Sequence, residues 1–139
     1  MNTSIIADSS GLVSLVSNTD RNHPIAMQLS EELKNTAGSI IVPGDVFSET
    51  LNVIGRKIEH AVAVTVGQEL ISCETYLVME ASEKIRRWAF ELFRVQPESV
   101  SFTDCVVMAF ADQFATKNIF GFDEVFKKNG YKRLGFERN

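Results

Sequence analysis

The segment Ile5-Ile6-Ala7-Asp8-Ser9-Ser10-Gly11-Leu12-Val13-Ser14-Leu15-Val16 changes character at one residue, Asp8. Before it, Ser4 to Ala7 form a short, nearly unbroken apolar run that reads as a buried strand. After it, Asp8-Ser9-Ser10 offers helix-capping side chains, and Leu12, Val13, Leu15 and Val16 supply the apolar face of a short helix. A strand, an acid and a helix in that order leave a carboxylate at the strand's C-terminal end, where parallel sheets place their sites.

The alternation repeats along the chain. His23-Pro24 opens a helix with Ile25, Leu29 and Leu33 at four-residue spacing; Gly38 ends it, and Ser39 to Val42 is a second strand. From Pro43 to about Glu59 the pattern is helical, with Val46, Phe47, Leu51 and Ile54 inward. In Ala61 to Cys73, Val62, Val64 and Val66 alternate as in a strand, but the Ala, Gln, Glu and Leu content favours a helix. Thr75 to Met79 reads as a third strand. Ser82 to Phe93 is an amphipathic helix on Ile85, Trp88, Ala89 and Leu92, which makes Trp88 a core residue rather than a base-stacking platform. Pro97 interrupts the chain, and Ser101-Phe102-Thr103-Asp104 starts a helix using Val107, Phe110, Ala111 and Phe114. Asn118 to Phe122 is a fourth strand, Asp123 to Asn129 a turn or short helix, and Tyr131 to Leu134 a short closing strand. Short strands alternating with helices predict an α/β sandwich on a parallel sheet.

The 139 residues suit a single domain, 1–139. With 45% hydrophobic and 23% charged residues the composition is that of a folded globular protein. No run reaches the length of a membrane span, and Met1-Asn2-Thr3-Ser4 lacks the basic and apolar regions of a secretory signal, so a cytoplasmic location is expected. Cys73 and Cys105 lie in apolar helical patterns and are expected to be buried free thiols; a zinc site would need more Cys or His partners. The net charge of -4 disfavours a broad nucleic-acid-coating surface, yet six of the 14 basic residues follow position 116, and Lys84, Arg86 and Arg87 form a second cluster. Both patches are also ordinary solvated helix faces and termini.

Four acids stand at element ends: Asp8, Glu49 early in the helix after strand two, Asp104 at a helix start, and Asp123 after the fourth strand. With the third strand peripheral, all four would share one hole. Crowded carboxylates repel, and a divalent cation offsets that repulsion. Oxygen ligands without His or Cys favour Mg²⁺ or Mn²⁺ over zinc, and such ions serve phosphodiester chemistry. Each acid also has a plainer reading, Asp8 and Asp104 as caps, Glu49 as a solvent-facing residue, Asp123 as a turn former. Asp45 suits a helix-dipole role, and Asp112, two turns beyond Asp104, lies about 12 Å away by helical rise. Ser10 and Thr103 are candidates to hydrogen-bond a carboxylate or a bound water. His23 and His60 look incidental.

The fragments IIADSSGLVSLV, VPGDVFSETLNV, SFTDCVVMAFAD and IFGFDEVFKKNGYKRL, in that order and spacing, resemble the PIN-domain family, and more narrowly its VapC-like toxin ribonucleases. The resemblance implies a three-layer α/β/α sandwich around a short parallel sheet. It makes Asp8, Glu49, Asp104 and Asp123 the acidic, catalytic, metal-binding set of an Mg²⁺- or Mn²⁺-dependent endoribonuclease leaving 5′-phosphate and 3′-hydroxyl ends. It further implies an RNA substrate, a homodimer, and a small antitoxin protein inserting a segment into the site. Lys84, Arg87 and Lys127 are candidate RNA contacts. One departure is that Gly121 stands where the family often has a hydroxyl residue two positions before the last acid. Dehalogenase-type phosphatases (Asp-x-Asp), receiver domains and glycosidases fit less well. The competing expectation from another class is a non-catalytic PIN-like module that binds RNA or protein.

Overall fold

In the computed structural model, which describes residues 4–34 and 39–136, β1 (Ile5–Ala7) is buried at every position. A strand covered on both faces needs strand neighbours on both edges and helices above and below, and β1 has them. It pairs with β2 (Ile40–Pro43) in the register Ile5–Ile40 and Ile6–Ile41, and with β4 (Asn118–Phe120) in the register Ile6–Ile119 and Ala7–Phe120. β3 (Tyr76–Met79) adds to the free edge of β2, and β5 (Lys132–Arg133) to that of β4. All pairings are parallel, in the order β3-β2-β1-β4-β5, so the third strand is peripheral.

The chain winds outward from β1 through β2 to β3, then returns to the other side of β1 with β4. The switch point therefore lies between β1 and β4, and a crevice opens there beyond the strands' C-terminal ends. Helices α1 (Ser9–Val16), α2 (His23–Lys34), α3 (Gly44–Lys57) and α4 (His60–Ser72) belong to the outward crossovers; α5 (Glu83–Arg94) and α6 (Phe102–Gln113) belong to the returning one. Right-handed crossovers in opposite directions put the two groups on opposite faces, completing the three-layer α/β/α sandwich. Every residue of α6 from Cys105 to Ala111 is buried, because this helix is enclosed between the sheet and α5. The last helix, α7 (Glu124–Lys128), is short and buries Val125 and Phe126. Among the described residues no helix is long and apolar enough to cross a membrane.

Most expected elements are present, with shifted ends. β2 runs on through Pro43, β4 stops at Phe120, and β5 is confined to Lys132–Arg133. Ala61 to Cys73 is helical, within α4. Gly38 lies outside the described residues. Val46 and Ile54 are buried, whereas Phe47 and Leu51 are half-covered on the side of α3 that meets α4.

Two core assignments are corrected. Trp88 is 46% exposed, since α5 buries only Ile85 and Ala89 and the indole sits beside that stripe. Its polar N–H donates to Asp112 at 2.7 Å, a partner a deeper position would not offer. Cys73 is only partly covered, because α4 ends at Ser72 and leaves it as the C-cap; Cys105 is the buried free thiol.

Gly11 sets how closely α1 approaches the sheet, for a Cβ there would lie 2.3 Å from the Phe120 carbonyl oxygen. Gly11→Ala is expected to lose about 2–3 kcal/mol, the cost of forcing backbone apart in a packed core. At Gly55, inside α3, an added Cβ meets only Ala63 at 3.9 Å. Gly55→Ala is therefore expected to gain about 0.5–1 kcal/mol through helix propensity. Urea unfolding of both variants checks the opposite signs.

Candidate metal centre

Asp8 follows β1 directly, and its backbone N–H continues the ladder by donating to the Phe120 carbonyl at 2.9 Å. Its carboxylate is 1% exposed and caps α1, accepting from Ser10 N–H at 3.1 Å. The Ser10 hydroxyl donates to the same oxygen at 2.6 Å and accepts from the Phe122 N–H at 2.9 Å. One hydroxyl thus ties the first acid to the loop that carries the last. The buried Arg133 holds that loop from the other side, its guanidinium donating to the Phe122 carbonyl at 3.0 Å. Asp123 then stands at the N-cap of α7, exposed.

Asp104 enters from the opposite helical layer, half-buried in the first turn of α6. It forms a capping box with Ser101, accepting from the Ser101 N–H at 3.3 Å and donating its own N–H to the Ser101 hydroxyl at 3.1 Å. Capping and membership of the site are compatible, since a carboxylate has two oxygens and about four lone-pair sites.

Asp8, Asp104 and Asp123 each offer a carboxylate oxygen, and the three atoms lie within 4.8 Å of one another. Glu49 stands outside this group. Its carboxylate accepts from the Ser9 hydroxyl, and its charge reaches the group, raising the carboxyls of Asp104 and Asp123. Burial, then the charge of Asp123, pushes Asp8 up to about 8 despite the lowering effect of its Ser10 hydrogen bonds. Asp104 is pushed up to about 6 by burial and then by Asp123. Asp123, exposed along one side, is raised by the partial desolvation of its carboxylate in the crevice and by Glu49, while a hydrogen bond from Asp8 and the charge of Arg133 pull it down. Three hard oxygen donors that repel one another in a crevice fit a divalent cation of the Mg²⁺ or Mn²⁺ type.

The other expected participants are distributed differently. Ser10 bonds Asp8 as anticipated, but Asp104 is bonded by Ser101; the Thr103 hydroxyl has no hydrogen-bond partner among the described residues. Asp45 lies in the first turn of α3 and pairs with Arg86 at 3.1 Å. Asp112 accepts from Trp88 and from the Tyr131 hydroxyl, each at 2.7 Å, and takes no part in the site. His23 binds the Ser14 carbonyl through Nδ1 at 2.7 Å. Arg133, one of the six basic residues after position 116, is buried and donates to the Phe122 carbonyl. A cleft of about 630 Å³ runs from Asp104 and Asp123 past Lys128 to Asn129. None of Lys84, Arg87 and Lys127 lines it, and Arg87 is paired with Glu83 at 2.6 Å. Ser9 and Ser101 are the residues that sequence reasoning missed, whereas Lys128 belongs to the basic patch after position 116 without having been singled out there; the capping-box spacing of Ser101 and Asp104 was the signal available for Ser101.

The family model described as PIN domain matches residues 5–131. The chain belongs to the PIN-domain family. Among solved structures this PIN domain is similar to VapC20 of Mycobacterium tuberculosis, described as a sarcin-ricin loop cleaving toxin. The TM-score is 0.83 and the identity 22%, over 94% of this chain and 98% of that one. At that identity the likeness is one of fold. Comparison with curated proteins finds no match.

Gly121 acquires a reason in this PIN domain. A Cβ there would sit 2.7 Å from the Asp8 Cβ and 3.3 Å from its Oδ2. The position has no room for the hydroxyl side chain often found in the family, and Ser10 supplies a hydroxyl from the first turn of α1. Gly121→Thr is therefore expected to weaken Mn²⁺ binding at least tenfold instead of improving it, as read by calorimetric titration. Tighter binding would refute this view of the site.

The raised carboxyls also fix a pH dependence. In the protein without a cation, the folded state binds more protons than the unfolded state between about pH 4 and 8, so stability falls as pH rises through that window. In chelator, the melting temperature should fall from pH 5 to 9, with a shallower fall above pH 6 in Asp8→Asn. Parallel profiles for the two proteins would contradict the assignment.

Proposed function

We propose that the chain is a metal-dependent endoribonuclease that hydrolyses RNA phosphodiester bonds and acts as the toxin of a toxin–antitoxin pair. The observation that carries the reading is the group of three carboxylate oxygens within 4.8 Å at the switch point of a PIN fold. The description of VapC20 as a toxin that cleaves the sarcin-ricin loop supports the RNA substrate and the toxin role.

In this reading Asp8, Asp104 and Asp123 hold Mg²⁺ or Mn²⁺, and Glu49 completes the shell directly or through water. When bound, the ion supplies Lewis-acid polarisation of the scissile phosphate and a water of lowered pKa. Ser10 keeps Asp8 oriented, Ser101 does the same for Asp104, and Ser9 for Glu49. Glu49, outside the tight group, would accept a proton from the attacking water. Lys128 holds a neighbouring phosphate along the cleft. Attack by water leaves 5′-phosphate and 3′-hydroxyl ends. The chain works as one domain and as a homodimer, and a small antitoxin protein silences it by laying a segment in the acid-lined cleft.

The test is cleavage of a cellular RNA pool with Mg²⁺ or Mn²⁺, with and without chelator. Wild type is expected to cut only with the cation and to leave 5′-phosphate ends. Asp8→Asn and Asp104→Asn should each lose at least about a hundredfold in rate, roughly 3 kcal/mol of transition-state stabilisation. Undiminished cleavage in both variants would overturn the site assignment. Inactivity of the wild type under all conditions would favour a non-catalytic RNA- or protein-binding module.

A further inference from the structure

One wall of the acid-lined cleft carries a pair of carboxamides that the proposed chemistry does not use. The Gln96 side chain donates to Asn129 Oδ1 at 3.0 Å, and Asn129 Nδ2 donates back to Gln96 Oε1 at 3.1 Å. Gln96 lies in the connection between α5 and α6, and Asn129 is the C-cap of α7. Both line the cleft that holds Asp104, Asp123 and Lys128.

The two amides are not equivalent. Asn129 Nδ2 also donates to the Val125 carbonyl at 2.9 Å, which fixes the rotation of its amide plane. Anchored in this way, Asn129 presents one N–H and one carbonyl oxygen side by side toward the cleft. The Gln96 side chain has no other hydrogen bond among the described residues and is held by that edge alone; the residue's backbone N–H donates to the Phe93 carbonyl. An edge with a donor beside an acceptor is what a carboxamide uses to pair with a nucleobase, as in the two bonds of Asn or Gln to adenine N6 and N7.

The distance suits this use. Asp123 caps the N-terminus of α7 and Asn129 its C-terminus, so they stand about 9 Å apart by helical rise. Lys128, the residue before Asn129, has no ion-pair partner among the described residues and is cleft-lining. A phosphate on Lys128 and a phosphate at the acids would leave the base of a flanking nucleotide beside Asn129. Phosphate contacts position a strand, whereas base-edge contacts discriminate between sequences.

We propose that Asn129 is a specificity-determining residue that reads the donor–acceptor edge of a base flanking the scissile phosphate, and that Gln96 occupies this edge until RNA displaces it. The proposal rests on the endoribonuclease reading. Exchange is cheap, because two neutral hydrogen bonds at a cleft wall are replaced by two of the same kind. The Gln96–Asn129 pair is thus a stand-in for the base contact, and its removal has a direction. Loss of Gln96 removes a competitor, while loss of Asn129 removes the reading edge.

The test is a selection of randomised eight-nucleotide RNA on the 139-residue protein carrying Asp104→Asn, which slows cutting at least about a hundredfold, with no divalent cation added. The bound fraction is sequenced, and melting temperatures are measured in parallel. The expected result is enrichment of one base at one position, erased by Asn129→Ala. Gln96→Ala, a change in an inter-helix connection, should keep the enrichment and tighten binding of the enriched RNA roughly three- to tenfold. A purely structural bridge would leave the base profile untouched in both variants. Binding without base preference, or a preference that survives Asn129→Ala, overturns the assignment of Asn129 and leaves the nuclease reading standing. Weaker binding in Gln96→Ala overturns the stand-in role. Absence of RNA binding in every protein overturns both readings together.

Discussion

Every feature of the candidate site depends on keeping the Asp8 carboxylate in place at 1% exposure against the end of the central strand, with two other carboxylates close by. Burial and like charge both oppose ionisation there, and Asp8 is pushed up to about 8 as a result. What holds it is a short circuit of hydrogen bonds. Asp8 N–H binds Phe120, the Ser10 hydroxyl links the carboxylate to Phe122, and Arg133 binds Phe122 from behind. Gly11 and Gly121 are the positions where a side chain would force this circuit open. The sheet order supplies the rest, since β4 must return beside β1 for Asp123 to come within reach of Asp8.

Much of this was legible in the residues. Apolar runs too short for helices, each followed by capping chemistry and a helical face, predict parallel strands. An acid closing such a run lies at the C-terminal edge where a site forms. Asp8 and Asp123 follow from that rule alone. Asp104 was ambiguous only if cap and ligand are exclusive; it forms the capping box with Ser101 while one of its oxygens stays within 4.8 Å of those of Asp8 and Asp123. Glu49 was less legible. Its distance from the other acids depends on the rotation of α3, and the structure stations it beside Ser9, outside the tight group.

Periodicity assigns a face and not a depth, and several positions turn on that difference. Trp88 lies at the edge of a stripe only two buried residues wide, where its indole N–H finds Asp112. Arg133 reads as a cation for phosphate, yet a guanidinium is also the group best able to satisfy a buried loop carbonyl. Lys127 and Lys128 are indistinguishable by composition, and the rotation of one five-residue helix decides that Lys128 lines the cleft. The Gln96–Asn129 bridge joins residues 33 apart and has no local signature at all.

The central claim is that Asp8, Asp104 and Asp123 form one cation site. Calorimetric titration of Mn²⁺ into the wild type, Asp104→Asn and Asp123→Asn at pH 7 tests it most directly, with a circular dichroism spectrum of each protein to confirm its fold. The account predicts saturable binding to the wild type and a loss of at least tenfold in affinity in each folded variant. Equal Mn²⁺ affinity in the three proteins, or no binding to the wild type, would contradict it.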